Sequence, residues 1–222
     1  SEQPDAQTMT IVNEDLINAA MEARKHAYSK YSGYSVGAAI IDDRGRLHVG
    51  CNVENAAYPL GNCAEAAAIA RRAAESGYDR AMVLAPETDW GERMASAFEG
   101  EFLRDDKEIV AALRYPEREN DHSALLERAL KIDESEARKR QIENTLQTRV
   151  GFEPIRRDDV DMIFLAANAT QARLIRPQLR FHDAGDIPVY AAGRVYDGQP
   201  DATGNQDLNG IRFPTTRWQL EH

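Results

Sequence analysis

Apolar residues recur at helical spacing near the start of the chain. Leu16, Ile17, Ala20, Ala23 and Ala27 fall on one face, which predicts a helix over 13–28 with Asn13 as its cap. The period then changes. A short apolar run, Val36 to Ile41, precedes the turn residues Asp42-Asp43-Arg44-Gly45 and a second run, Leu47 to Cys51, and together they read as a β-hairpin. Asn62 is placed to cap a helix from Cys63 to about Ser76, ended by Gly77.

Strand and helix alternate from there. Strands are expected at Ala81–Ala85, Ile109–Leu113, Met162–Ala167 and Pro188–Ala192. Helices are expected at Trp90–Leu103, after Asp121 through Ala124, Leu125 and Leu130, at Glu134–Gln147, and at Thr170–Phe181 with a kink at Pro177. Met162–Ala167 is apolar throughout, the pattern of a parallel strand covered on both faces. The order predicts an α/β fold, a mostly parallel sheet with helices on both faces. Asp201–Asn209 reads as a polar loop, and the chain stops at Trp218–His222 with no obvious terminal element, as a fragment would. A lone hairpin is marginal, so Val36, Ala38 and Ile40 are expected to be buried by packing onto the parallel sheet.

Charge narrows the function classes. With 37 acidic and 27 basic residues in 222, the formal net charge is −10. That surplus argues against nucleic acid, whose phosphates demand Lys and Arg, and against anionic membranes. Two cysteines, Cys51 and Cys63, are too few for a disulfide framework. No apolar run reaches the length of a membrane span, and Ser1–Gln7 is too polar for a secretory signal.

Cys63-Ala64-Glu65 opens a helix, where the thiolate that binds zinc is favoured. Glu65, two residues on, could carry a proton to and from a metal-bound water. Taken alone, the triplet reads rather as a small buried hydrophobe and a solvated acid. Its flanks decide. Tyr28-Ser-Lys-Tyr-Ser-Gly-Tyr34-Ser-Val-Gly-Ala-Ala39, Gly50-Cys-Asn52-Val-Glu54-Asn55-Ala-Ala-Tyr58 and Asn62-Cys63-Ala64-Glu65 come in order, and residues 12–70 resemble the cytidine deaminase family. The resemblance implies that Cys63 is a zinc ligand and Glu65 the catalytic proton shuttle. It implies that Asn52 and Glu54 contact ribose, that Tyr34 lies against the base, and that the Ala64 backbone faces the pyrimidine carbonyl. The family completes its metal site with a later Pro-Cys-x-x-Cys loop. No cysteine follows Glu65 here, although catalytic zinc needs three protein ligands. His122 and His182 read as surface histidines.

The remainder resembles a second family. Arg71 to Arg93, Asp121 to Leu126, Lys131 to Arg138, Arg157 to Asn168, Gln171 to Phe181 and Asp207 to Phe213 resemble the bacterial penicillin-binding-protein activator lipoproteins, over about residues 70–220. That resemblance implies a partial type I periplasmic-binding-protein lobe and a non-catalytic stimulator of a peptidoglycan synthase. In open α/β sheets ligands sit beyond the carboxyl ends of the strands. Asp89, Trp90, Arg93, Asn168 and Gln171 therefore line a candidate crevice. Against this, Trp90 reads as a packing anchor, Asp89 as a helix cap, and Arg156-Arg157 as a solvated corner.

A composite is expected, with a deaminase-like half over 1–76 and an α/β lobe over 77–222, meeting in the Ala-rich helix Glu65–Ser76. The expected function is a non-catalytic binding or regulatory module whose partner is a peptidoglycan synthase. A zinc-dependent cytidine or deoxycytidine deaminase, with a pyrimidine nucleoside substrate, is the alternative, and a chimera with neither function the third. Zinc is expected only in the second case. The activator resemblance implies a periplasmic location, the deaminase resemblance a cytoplasmic one.

Overall fold

A computed structural model describes residues 6–30, 33–41, 46–54, 63–151, 153–196 and 204–214. The expected hairpin turn, 42–45, and the expected cap Asn62 lie outside them. The first helix, α1 (Ala6–Arg24), starts seven residues earlier than expected, so Asn13 lies inside it rather than at its cap. Met9, Ile11 and Val12 continue the apolar run upstream of Asn13, which is why the backbone has no reason to begin there.

Strands β1 (Gly37–Ile41) and β2 (Leu47–Cys51) pair antiparallel, from Gly37 opposite Cys51 to Ile41 opposite Leu47. They do not join the parallel sheet; they form a two-stranded layer of their own. Helix α2 (Ala64–Glu75) separates that layer from the sheet. Opposite residues of an antiparallel pair share a face, so Gly37 and Gly50 point to opposite sides. A Cβ at Gly37 would lie 2.0 Å from the Ala20 carbonyl oxygen of α1, and one at Gly50 would lie 2.4 Å from the Ala64 carbonyl oxygen of α2. Each glycine marks where a helix backbone crosses the hairpin. The expected burial of Val36, Ala38 and Ile40 against the sheet is corrected accordingly. All three are only half-buried, and Ile40 alone of them reaches the core around α2.

Helix α2 is buried on two sides, with Ala64, Ala66, Ala67, Ala68, Ile69, Ala70, Arg72 and Ala73 all inaccessible. Ala66, Ile69, Ala70 and Ala73, at i, i+3, i+4 and i+7, turn to the parallel sheet. Ala64 and Ala68 meet Gly50 of the hairpin. Small side chains let two layers approach one helix, which accounts for the alanine run.

The sheet has β3 (Arg80–Pro86), β4 (Glu108–Tyr115), β5 (Met162–Leu165), β6 (Val189–Ala191) and β7 (Ile211–Arg212), in the order β4-β3-β5-β6-β7, with every pair parallel. Both faces are covered. On one, α2 and α3 (Asp89–Phe102) pack Ile69, Met94, Phe98 and Phe102 over Val83, Phe164 and Tyr190. On the other, α4 (Ser123–Ala129) and α6 (Ala169–Phe181) pack Leu126, Leu130, Ile175 and Leu179 over Leu84, Ile163 and Val189. Pro177 lies within α6, which runs through it. Helix α5 (Ile132–Leu146) buries only Ser135, whose hydroxyl accepts the Ile155 amide at 3.1 Å.

The expected solvated corner at Arg156-Arg157 is a structural tie. Arg156 pairs with Asp186 at 2.7 Å. The Arg157 side chain is 9% exposed, donates to the Val110 carbonyl at 3.0 Å, and meets Asp159 at 2.7 Å through Nη2. Those guanidinium hydrogen bonds hold the Asp159 carboxyl down to about 2, against an ordinary 3.8. A carboxyl depressed by folding stabilises above its unfolded value and loses that stabilisation as pH falls through its folded value. Asp159→Asn is therefore expected to flatten the part of the acid-unfolding curve between about pH 4 and pH 2. Parallel loss of stability in both proteins over that window, followed by circular dichroism, would exclude the pair as its source.

Candidate functional site

The first turn of α2 lies at the carboxyl end of the sheet, where Glu65 meets Gly193 of the loop after β6. Cys63 stands just before that turn and packs, half-buried, against the core under α3. Burial, and then the Glu65 carboxylate, push its thiol up; backbone hydrogen bonds from Ala66 and Glu65 and the charge of Arg93 pull less strongly the other way. The thiol form is favoured, contrary to what a helix N-terminus does alone. Glu65 turns to the loop after β6, where the Gly193 amide donates to its Oε2 at 3.3 Å. A Cβ at Gly193 would lie 3.0 Å from the Pro214 carbonyl oxygen and 3.6 Å from Glu65 Oε1, so glycine keeps this approach open. Ala64 is buried, with its carbonyl oxygen beside Gly50.

The first turn of α3 completes this end. Thr88, not the expected Asp89, is its cap: Thr88 Oγ1 accepts the Gly91 amide at 3.1 Å while Asp89 is exposed. Trp90 is half-buried against the same core as Cys63, and the Arg194 guanidinium lies 4.7 Å from its ring centre. Cys63, Glu65, Trp90, Arg93, Gly193 and Arg194 thus belong to one end of one sheet face. Arg194 and Gly193 escaped the sequence reading, although the rule that marked the ends of β3 and β5 applies equally to β6.

Asn168 and Gln171 belong to a different cluster. The Asn168 side chain caps α6 by accepting the Gln171 amide at 2.9 Å and donates to Glu117 at 3.1 Å. The Gln171 side chain, 5% exposed, donates to the Glu117 carbonyl and meets His122 Nε2 at 3.1 Å. Tyr115 is buried beside them, its hydroxyl donating to the Ala166 carbonyl at 2.7 Å, and burial raises its phenol well above the usual range. The strand order reverses between β3 and β5, where open sheets leave a crevice. Here the Tyr115 hydroxyl reaches the Ala166 carbonyl, and Asn168 and Gln171 both bond to Glu117.

The ribose-type residues are drawn into the hairpin. Asn52 Oδ1 accepts the Val36 amide at 2.7 Å and its Nδ2 donates to the Tyr34 carbonyl at 2.9 Å. The Glu54 amide donates to the Tyr28 carbonyl at 2.7 Å. The Tyr34 side chain is 71% exposed.

The donors among the described residues do not fit a catalytic zinc. Register puts Cys51 on the α1 face of the hairpin, opposite α2. His122 and His182, expected at the surface, are 2% and 6% exposed, and both lie on the α4 and α6 side of the sheet. Among the described residues no three His, Cys, Asp or Glu side chains come together to hold a metal.

Known proteins align with both parts. Residues 11–88 match the family model of the cytidine and deoxycytidylate deaminase zinc-binding region. A cytidine deaminase of Sporosarcina psychrophila is 48% identical over 52 residues, 23% of this chain and 38% of its own. The penicillin-binding protein activator LpoA of Vibrio antiquarius is 27% identical over 152 residues, 67% of this chain and 24% of its own. The chain therefore spans about a quarter of that relative's length. A leucine binding protein LivK from Thermotoga maritima superposes with a TM-score of 0.47 at 16% identity, over 67% of this chain and 35% of that one. The two matched regions overlap across α2 and β3, and with residues 52–222 inside its model the chain belongs to the LppC putative lipoprotein family, joined at its start to a segment of the deaminase type.

Proposed function

We propose that this chain is a non-catalytic binding and regulatory module whose partner is a peptidoglycan synthase of the penicillin-binding-protein class. The observation that carries it is the capture of Glu65 by the Gly193 amide. The group a deaminase would use for proton transfer serves here to tie α2 to the loop after β6. Residues 1–76 are proposed as a structural cover and 77–222 as the lobe that contacts the partner. The name of the Vibrio relative, an activator of a penicillin-binding protein, supports the choice of partner.

The experiment is binding of the intact chain to the soluble portion of a penicillin-binding protein, by biolayer interferometry, with synthase turnover measured alongside. Saturable binding with altered turnover supports the reading; absence of binding removes it. The alternative, zinc-dependent deamination of cytidine, draws support from Cys63, Glu65, Asn52 and Glu54 standing in the order of the deaminase segment. On the proposed reading, purified protein carries far less than one zinc per chain. Cytidine turnover stays at background and is unchanged by Glu65→Ala. Stoichiometric zinc together with turnover that Glu65→Ala abolishes would reverse the assignment.

A further inference from the structure

A cavity of about 300 Å³ lies where the hairpin faces the β6–β7 side of the sheet, with Pro214 of its lining beside Gly193. Ile40 and Ile41 of β1 form one wall, and Ile69, Ile211 and Phe213 supply further apolar surface. Its polar groups are concentrated around Tyr190. The Arg72 guanidinium lies 5.8 Å from that ring's centre and the Arg212 guanidinium 5.5 Å from it. Arg212 also donates to the Tyr190 hydroxyl at 2.8 Å. Arg72 is 5% exposed and Tyr190 4% exposed, while Arg212 reaches solvent. The lining side chains bring two guanidinium groups and, among the described residues, no carboxylate.

We propose that this cavity binds a small organic carboxylate with an apolar body, one ring or a short branched chain in size. A planar guanidinium presents a fork of donors that matches a carboxylate in two-point contact. Isoleucine and phenylalanine walls supply the burial that an apolar body needs, and the volume stands at the small end of ligand sites. A large polyanion is disfavoured by the chain's net charge of −10. The walls come from β1 on one side and from α2, β6 and β7 on the other, so an occupant would clamp the hairpin against the sheet. The site does not rest on the Glu65–Gly193 contact that carries the protein-partner reading, although Pro214 of its lining stands beside Gly193.

The test uses the intact chain with phenylacetate and its neutral isostere phenylacetamide, by calorimetric titration and thermal melting. Phenylacetate is expected to bind saturably, at least about tenfold more tightly than the amide, since hydrogen bonds to a charged group carry that much discrimination. Arg212→Gln, at a solvent-reaching edge, should weaken phenylacetate by about tenfold while the free protein keeps its circular dichroism spectrum. Ile41→Trp, which fills the cavity, should abolish binding with the circular dichroism spectrum retained. Equal affinity for acid and amide, no saturable binding of either, or phenylacetate binding indifferent to both substitutions overturns the proposal.

Discussion

Phe164→Ala is expected to cost about 3–5 kcal/mol of folding stability, the range for deleting a buried phenylalanine. Phe164 is fully buried on β5, a strand paired on one side with β3 and on the other with β6. Its ring stacks on Phe98 with centroids 4.3 Å apart and planes within 4°, and Phe98 stacks on Phe102 at 5.2 Å. A central strand of a parallel sheet cannot shift to refill the space, so most of the cavity would persist. Against a total stability of roughly 5–15 kcal/mol the variant would stand near the edge of folding. Phe181→Ala removes the same side chain from a position 80% exposed and is expected to change stability by less than about 0.5 kcal/mol. Urea denaturation of the two variants beside the parent decides the matter. Similar midpoints for all three would mean that the stacked column does not support the sheet.

That column also marks what a sequence reveals. Ala81–Ala85 and Met162–Ala167 are readable as strands because a parallel sheet covered on both faces needs uninterrupted apolar runs. The Ala-rich α2 is readable as a helix, but not as the layer between a hairpin and a sheet; that depends on which surfaces meet Gly50 and Val83, set by contacts between distant segments. Buried polar groups are harder still. His122 is a surface residue by composition and a core residue in fact, because its partner Gln171 lies 49 positions away. The same holds at the carboxyl end of the sheet. Cys63 and Glu65 are legible as a motif from their neighbours in sequence. The use of Glu65 is not, because the Gly193 amide that it accepts comes 128 residues later.

Gly50→Val tests whether α2 unites the two layers. A Cβ at Gly50 would lie 2.4 Å from the Ala64 carbonyl oxygen and 2.8 Å from the Ala68 amide nitrogen, both backbone atoms of a helix that cannot rotate aside. The valine must push β2 away from α2, and overpacking against backbone of this kind costs about 3 kcal/mol. The strain falls on one side of the helix only. Ala66, Ile69, Ala70 and Ala73 would keep their contacts with the sheet, while the surface that faces the hairpin would open to water. Thermal unfolding is therefore expected to split, with the hairpin and α1 melting before the sheet. Cys63, at the start of the same helix, should become faster to react with a thiol reagent. Gly100→Ala serves as the control. Gly100 is exposed within α3, nothing would lie within 4 Å of its Cβ, and the change should stabilise by about 0.5–1 kcal/mol through helix propensity. A Gly50→Val protein that melts in one step at the parent's temperature would show that the hairpin rests on α2 too loosely for that helix to hold the deaminase-type segment to the sheet.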